Sequence, residues 1–114
     1  MNTATRKAKG KRLQKHVCGL ILKYNTILSN NDVKSIRMGR PGEDIQLSSK
    51  AKKIFPYSIE CKNQERMKYI WDAYEQAESN SNDMEPMVVL KINKKRPLVL
   101  VDAEHFFKLQ SNLK

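Results

Sequence analysis

The stretch that decides the fold is Phe-Pro-Tyr-Ser-Ile-Glu-Cys-Lys-Asn at residues 55–63. Its tyrosine, isoleucine and cysteine are typical of a half-buried β-strand. Because successive side chains point to opposite faces of a strand, Ile59 and Cys61 share one face. Glu60 and Lys62 share the other face. Opposite charges on one face of a largely apolar strand indicate either a half-exposed surface ion pair or a metal-binding carboxylate with a lysine beside it.

Length and composition predict one intracellular domain. The chain has 114 residues, of which 39% are hydrophobic, and this suits a single domain with a modest core. It has no apolar run of about 18 residues that could span a membrane. The basic N-terminus lacks an apolar signal core, so no secretory leader is expected. Cys18 and Cys61 give neither a disulfide framework nor a paired metal-ligand spacing, and a reducing compartment is therefore expected.

Positive charge is concentrated near the N-terminus. The formal net charge is +10, and the first acidic residue is Asp32. A field of one sign attracts polyanions, and cation–phosphate contacts dominate nucleic-acid affinity. A solvated basic tail is the alternative, whereas residues 1–12 lack the bulky apolar side chains that would favour a membrane surface. The candidate DNA contacts are Lys9, Lys11, Arg12, Lys15, Arg37 and Arg40, with Lys50, Lys52 and Lys53 as further candidates.

The hydrophobic pattern predicts a mixed α/β domain with a central sheet flanked by helices. Residues 1–8 are expected to be a disordered tail, and residues 9–110 to form the domain. We expect the first three strands to be antiparallel because their connections are short, and the fourth to lie parallel to its neighbour after a helical crossover. The expected elements are a helix at 9–28, strands at 33–38, 43–47 and 57–62, a loop or short turn at 48–53, a helix at 64–79 capped by Asn63, strands at 87–92 and 97–101, and a short helix capped by Asp102.

Two carboxylates lie on strands that are predicted to be neighbours. Asp44 stands at the start of the second strand and Glu60 in the middle of the third. Neighbouring strands are about 4.8 Å apart, so the two carboxylates can share one Mg²⁺ ion. Such an ion neutralises a phosphodiester and activates water. Lys62 should stay protonated beside two carboxylates, which predicts a role in positioning and electrostatic stabilisation.

The spacing from Asp44 to Glu60-Cys61-Lys62 resembles that of the PD-(D/E)XK nuclease superfamily. The predicted element order is similar to its restriction-endonuclease-like α-βββ-α-β core. The chain most resembles small phage-type endonucleases, and the likeness covers about residues 9–107. Four segments carry it: Lys-Gly-Lys-Arg-Leu-Gln at 9–14, Gly-Glu-Asp-Ile at 42–45, Ile-Glu-Cys-Lys-Asn at 59–63 and Trp-Asp-x-x-x-Gln-Ala at 71–77.

The resemblance implies a metal-dependent DNA endonuclease, encoded by a phage, that acts in the host cytoplasm and leaves a 5′-phosphate. It implies Mg²⁺ or Mn²⁺ held by Asp44, Glu60 and the backbone carbonyl of Cys61. It also implies that Lys62 is the catalytic lysine. Many members place a glutamate on the first helix, and the matching residue here is the uncharged Gln14.

Other side chains have a functional and a structural interpretation. Gln76 matches a polar position that faces the site in related nucleases, and the alternative is a solvated helix residue. Cys61 is expected to act as a small buried hydrophobe. We expect His16 and His105 to be surface residues, and Trp71 and Tyr74 to belong to the core.

A domain of this size has little room for an elaborate sequence-reading module. That favours recognition of a branch, junction or nick, or sequence recognition that relies on a partner. One active site per chain and two DNA strands indicate a homodimer. Within the endonuclease interpretation, a junction resolvase and a homing endonuclease are both open. The alternatives are a catalytically inactive nucleic-acid-binding module with a nuclease-like fold and a basic RNA-binding or ribosome-associated protein.

Overall fold

A computed structural model describes residues 3–36, 42–63 and 69–111. These residues form a small α/β domain, as the sequence predicts. Its elements in chain order are α1 (Thr3–Tyr24), β1 (Val33–Ser35), β2 (Ile45–Leu47), α2 (Ser49–Ile54), β3 (Tyr57–Asn63), α3 (Ile70–Asn80), β4 (Glu85–Lys91), β5 (Leu98–Leu100) and α4 (Ala103–Ser111).

A mixed three-stranded sheet in the order β3-β4-β5 occupies the centre of the domain. β3 and β4 are parallel, with Glu60 opposite Val88 and Lys62 opposite Leu90. Parallel neighbours need a long crossover, and the connection that contains α3 supplies it. β5 returns antiparallel beside β4, with Leu98 opposite Leu90. The parallel pairing of β3 with β4 confirms the sequence prediction.

β1 and β2 form a separate antiparallel ladder. The sequence predicts β1, β2 and β3 in one sheet, but the described strands divide into two sheets. The connection from β2 to β3 contains α2, where a loop or short turn was expected. Ser48 caps this helix, because its Oγ accepts a hydrogen bond from the backbone N–H of Ala51 at 3.0 Å. Because α2 occupies this connection, β2 and β3 are not joined by a tight hairpin turn.

The mixed sheet lies between α1 and α3. On one face, Ile59 and Val89 join the buried residues of α1 in the larger core. On the other face, Val88 packs with Ala77 of α3. Because side chains alternate along a strand, Glu60, which is opposite Val88, belongs to the α3 face of β3.

The first helix is shifted relative to the sequence prediction. α1 begins at Thr3 instead of residue 9 and ends at Tyr24 instead of residue 28. Residues 3–8, which were expected to be disordered, are therefore part of the helix. No helix in the described part of the chain is both long and apolar enough to cross a membrane.

The start of α3 also differs from the prediction. The helix begins at Ile70, with Tyr69 at its N-cap position. Asn63, the predicted cap, is the last residue of β3, and its Nδ2 donates to the backbone carbonyl of Lys9 at 3.3 Å. Residues 64–68, where the helix was expected to begin, lie outside the described residues.

Trp71 is not a core residue, although the sequence analysis placed it there. Its exposed fraction is 77%. Ala73 and Ala77 are the buried residues of α3, and Trp71 lies two residues before Ala73, on a different side of the helix. Tyr74 is half-buried against the same cluster, so its predicted core position is confirmed in part.

Candidate active site

Asp44 lies along the edge of β3 that faces away from β4. Its backbone N–H donates to the carbonyl of Ile59 at 3.1 Å. Its carboxylate oxygen Oδ2 accepts a hydrogen bond from the backbone N–H of Cys61 at 2.7 Å. The two bonding partners, Ile59 and Cys61, come directly before and after Glu60, so these bonds hold Asp44 beside Glu60. The structure therefore brings together the two carboxylates that the sequence singles out.

Glu60 is a buried carboxylate paired with a lysine. It is 3% exposed, and its Oε2 lies 3.2 Å from the Nζ of Lys62. Its second oxygen, Oε1, is buried and has no hydrogen-bond partner among the described residues. A buried carboxylate oxygen normally has a partner, so this atom is available to a ligand.

The surroundings of both carboxyl groups oppose their ionisation. Burial raises the pKa of Asp44, and the hydrogen bond from Cys61 and the charge of Lys62 act against that increase. Burial raises the pKa of Glu60, the charge of Asp44 raises it further, and Lys62 lowers it. Two carboxylates face one ammonium group, so the ionised cluster carries a net negative charge.

Cys61 is half-buried on the core face of β3. Burial, together with the charges of Asp44 and Glu60, raises the pKa of its thiol far above the ordinary value. The thiolate is the reactive form, so this side chain is inert at neutral pH and acts as a small hydrophobe, as the sequence predicts.

The backbone of Cys61 also points toward the candidate site. The N–H of Cys61 and the C=O of Ile59 both bond to Asp44, so both residues direct their polar groups to that edge of β3. The N–H and C=O of one residue leave an extended strand on the same edge. The carbonyl of Cys61 therefore leaves the strand on the side of Asp44.

These donors fit a hard divalent cation. Mg²⁺ is commonly held by one or two carboxylates, with water and substrate in the other positions. Asp44, the free Oε1 of Glu60 and the carbonyl of Cys61 supply oxygen atoms at one edge of β3. In the described part of the chain, no group of three or more His, Cys, Asp and Glu side chains could hold a metal ion. A bound ion would thus depend on the two carboxylates, the carbonyl and water.

The two glutamines occupy different environments. Gln14 is 2% exposed on α1, so an uncharged amide is buried in the layer that covers β3. Gln76 is exposed on α3, and none of the contacts among described residues joins it to Asp44, Glu60 or Lys62. This placement favours a solvated helix residue for Gln76. A catalytic role for either glutamine stays a prediction.

Cations of α1 reach the end of β3 that carries Lys62. The Nζ of Lys9 donates to Oδ1 of Asn93 at 2.6 Å, in the turn between β4 and β5. Arg12 and Lys15 are exposed on the same helix, and Lys11 is half-exposed. Arg37 and Arg40, also predicted as DNA contacts, lie outside the described residues.

The three lysines of α2 differ in their contacts. Lys50 donates from Nζ to the backbone carbonyl of Ile27 at 2.8 Å, which gives it a structural contact. Lys52 and Lys53 are exposed and remain candidates for phosphate.

Two features were missed from the sequence. The turn with Lys94, Lys95 and Arg96 lies at the same end of the sheet as Lys9 and is absent from the candidate DNA contacts predicted above. Three consecutive cations in a predicted turn were the signal for it. His105 is half-buried instead of being a surface residue, because its Nε2 lies 2.7 Å from the hydroxyl of Tyr57. His16 is exposed, as predicted.

Comparisons with protein-family models, with curated proteins and with solved structures find no match to this chain.

Proposed function

We propose that this protein is a metal-dependent DNA endonuclease that hydrolyses phosphodiester bonds. The observation that carries the proposal is the convergence of Asp44, Glu60 and Lys62 at one edge of β3. Buried charges persist when they are paired or bind a metal ion. Here two carboxylates share one lysine, and a divalent cation would balance the remaining charge. The superfamily resemblance supports the same reaction.

In this proposal, the carboxylates bind the metal ion and the lysine contacts the phosphate. Asp44 and Glu60 would hold the cation together with the carbonyl of Cys61, and the N–H of Cys61 orients Asp44. Lys62 positions the phosphate and stabilises the negative charge that develops on it. When bound, the Mg²⁺ or Mn²⁺ ion supplies charge neutralisation and a more acidic water.

The cations of α1 and of the β4–β5 turn supply the DNA contacts. Lys9 lies at the end of β3 that carries Lys62, and Arg12 and Lys15 are exposed. Contacts of this kind bind phosphate without reading sequence. We therefore propose recognition of DNA structure, such as a branch or junction, with phage or mobile-element DNA as the setting.

Cleavage of plasmid DNA, four-way junctions and linear duplexes in the presence of Mg²⁺ tests the proposal. We expect Asp44→Asn and Lys62→Ala to reduce the cleavage rate by about 100-fold or more, as removal of a charge-stabilising group does. Glu75→Gln and Lys34→Ala, at exposed positions, are matched controls that should cut at the wild-type rate. Comparison of junctions with linear duplexes separates resolvase-like from homing-type activity.

A catalytically inactive nucleic-acid-binding module is the competing function. It predicts retained mobility shifts of DNA, no cutting by any variant and no metal binding. Calorimetric titration with Mn²⁺ distinguishes the two functions, because the endonuclease requires binding that Asp44→Asn weakens. Wild-type protein that shifts DNA but neither binds Mn²⁺ nor cuts would refute the endonuclease proposal.

We further propose that two copies act together, because each chain offers one such site and a duplex has two strands. Sedimentation of the protein with and without DNA tests this. A monomer under both conditions contradicts it.

A further inference from the structure

A cavity of about 600 Å³ opens on the α3 face of the mixed sheet. Its apolar floor includes Leu90 of β4, the cross-strand partner Leu98 of β5, and Ile70 at the start of α3. Leu90 is also the cross-strand partner of Lys62. The cavity therefore begins one strand away from the candidate active site, on the same face of the sheet as Glu60.

One side of this cavity is positively charged. Lys91, Lys95 and Arg96 line it, and among the described lining residues there is no acidic side chain. The Nζ of Lys91 donates to the backbone carbonyl of Lys95 at 2.7 Å, which holds the turn in place. Lys95 and Arg96 are exposed, and neither forms an ion pair with a described residue. Two cations are thus available to an anion at the rim.

Part of the apolar floor is exposed to solvent. Leu98 is 60% exposed, although its neighbours Leu90 and Ile70 are half-buried. Exposed apolar surface beside charged groups often marks a binding site. The volume lies within the range of pockets that enclose small ligands.

We propose that this cavity receives an unpaired nucleotide of the DNA substrate, so that the protein prefers bulged or branched DNA to a fully paired duplex. The inference rests on the proposed endonuclease function and specifies its substrate class. A nucleobase presents a flat face that packs on apolar side chains, and its phosphate suits the cationic rim. A paired base stays in the stack, whereas an unpaired base leaves it at low cost.

The test compares two DNA molecules of the same sequence, one fully paired and one with a single unpaired nucleotide. Their dissociation constants are measured by fluorescence anisotropy in EDTA, where no metal-dependent cutting occurs. We expect the wild-type protein to bind the bulged DNA about tenfold more tightly, the scale of one base packed against protein. A 2-aminopurine at the unpaired position should change its fluorescence on binding.

Leu98→Asp and Val99→Asp form a matched pair. Both residues are exposed on β5 and both changes add one negative charge, but Val99, opposite Val89, lies on the other face of the sheet. Leu98→Asp should lose the preference for bulged DNA, and Val99→Asp should keep it. Thermal unfolding followed by circular dichroism verifies that both variants fold. Arg96→Gln, at the exposed rim, is a second variant that should weaken binding of bulged DNA more than of paired DNA.

Three results would overturn the inference. One is equal wild-type affinity for paired and bulged DNA. Another is equal loss of preference in Leu98→Asp and Val99→Asp, which would indicate general charge repulsion. The third is dissociation of a wild-type dimer by Leu98→Asp alone, which would show that a second copy covers the floor. Because binding is measured without metal, the preference for bulged DNA is tested separately from the proposed cleavage. A protein that fails to cut DNA can still show or lack this preference.

Discussion

Glu60 has an ionisable carboxyl group, and its surroundings favour the neutral form of that group. It is buried, it faces the charge of Asp44, and its Oε1 has no hydrogen-bond partner among the described residues. The ion pair with Lys62 offsets this only in part. Groups held in a costly arrangement are typical of functional sites, where stability is lost in exchange for activity.

The substitution Glu60→Gln should therefore stabilise the protein while it abolishes cleavage. The pKa of Glu60 is raised by burial and by Asp44, so its ionised form lowers the free energy of unfolding at neutral pH. We expect the Tm at pH 7 to rise by a few degrees, which corresponds to about 1 kcal/mol in a domain of this size. Calorimetry measures it, with the exposed Glu75→Gln as the control.

Mg²⁺ should stabilise the wild-type protein but not the Glu60→Gln variant. A ligand at 100 times its dissociation constant stabilises the fold by about 2.7 kcal/mol. We expect that gain in the wild-type protein and its loss in Glu60→Gln. A wild-type Tm that does not change with Mg²⁺ would contradict the metal site.

The sequence predicts which side chains share a face of β3 better than it predicts which side of α3 is buried. The shared face of Glu60 and Lys62 was predicted because side chains alternate along a strand, and the proximity of Asp44 was predicted from neighbouring strands. Trp71 was misplaced because the hydrophobic period does not fix which side of a helix packs, and α3 buries the side with Ala73 and Ala77. Local sequence defines the period of an element more closely than its boundary.

At the scale of elements, the loop before β1 and the helix α2 are tied together by one carboxylate. Asp32 accepts hydrogen bonds from the backbone N–H of Ser29 at 2.8 Å and from Oγ of Ser48 at 2.7 Å. Ser48 in turn caps α2. This contact joins residues 16 positions apart. It was not predicted because the short helix itself was expected to be a loop or turn.

Asp32 should make stability depend on acid pH. The hydrogen bond from the backbone of Ser29, followed by that from Ser48, lowers the pKa of Asp32. Its stabilising contribution is complete above the unfolded pKa of about 3.9 and is lost as the pH falls through the lower folded pKa. We expect Asp32→Ala to lower the Tm at pH 7 and to differ less from wild type below about pH 3.5.

The exposed Asp83→Ala serves as the control for that series, since it removes an equal charge without these bonds. A constant difference between wild type and Asp32→Ala across the acid range would contradict the assignment. Melting curves at a series of pH values provide the measurement.

At the scale of the whole molecule, the net charge is +10, and the number of cations that contact phosphate should determine how DNA binding responds to salt. Each phosphate contact contributes about 0.9 to the slope of log K against log salt concentration. We expect the combined change Lys11→Gln, Arg12→Gln and Lys15→Gln to make the slope shallower by about 2.7. Fluorescence anisotropy over a salt series measures it.

A double variant controls for the loss of charge, and its change in slope is compared per charge removed. It combines Lys34→Gln and Lys108→Gln, at exposed positions on β1 and α4 outside the proposed DNA contacts. The α1 variant should lose more of the slope than this control. Equal changes would mean that α1 is not the principal contact surface.

The pairing of β3 with β4 has a consequence for how the protein is made. Residues 57–63 pair with residues 85–91, and Lys9 contacts Asn63 and Asn93 at the same end of the sheet. A ribosome must therefore have synthesised the chain through residue 91 before β3 has its full partner. The nascent chain therefore carries its cationic helix long before β4 completes the sheet that holds Glu60 and Lys62. On the proposed endonuclease function, a growing polypeptide would be able to adhere to DNA well before it could cut it.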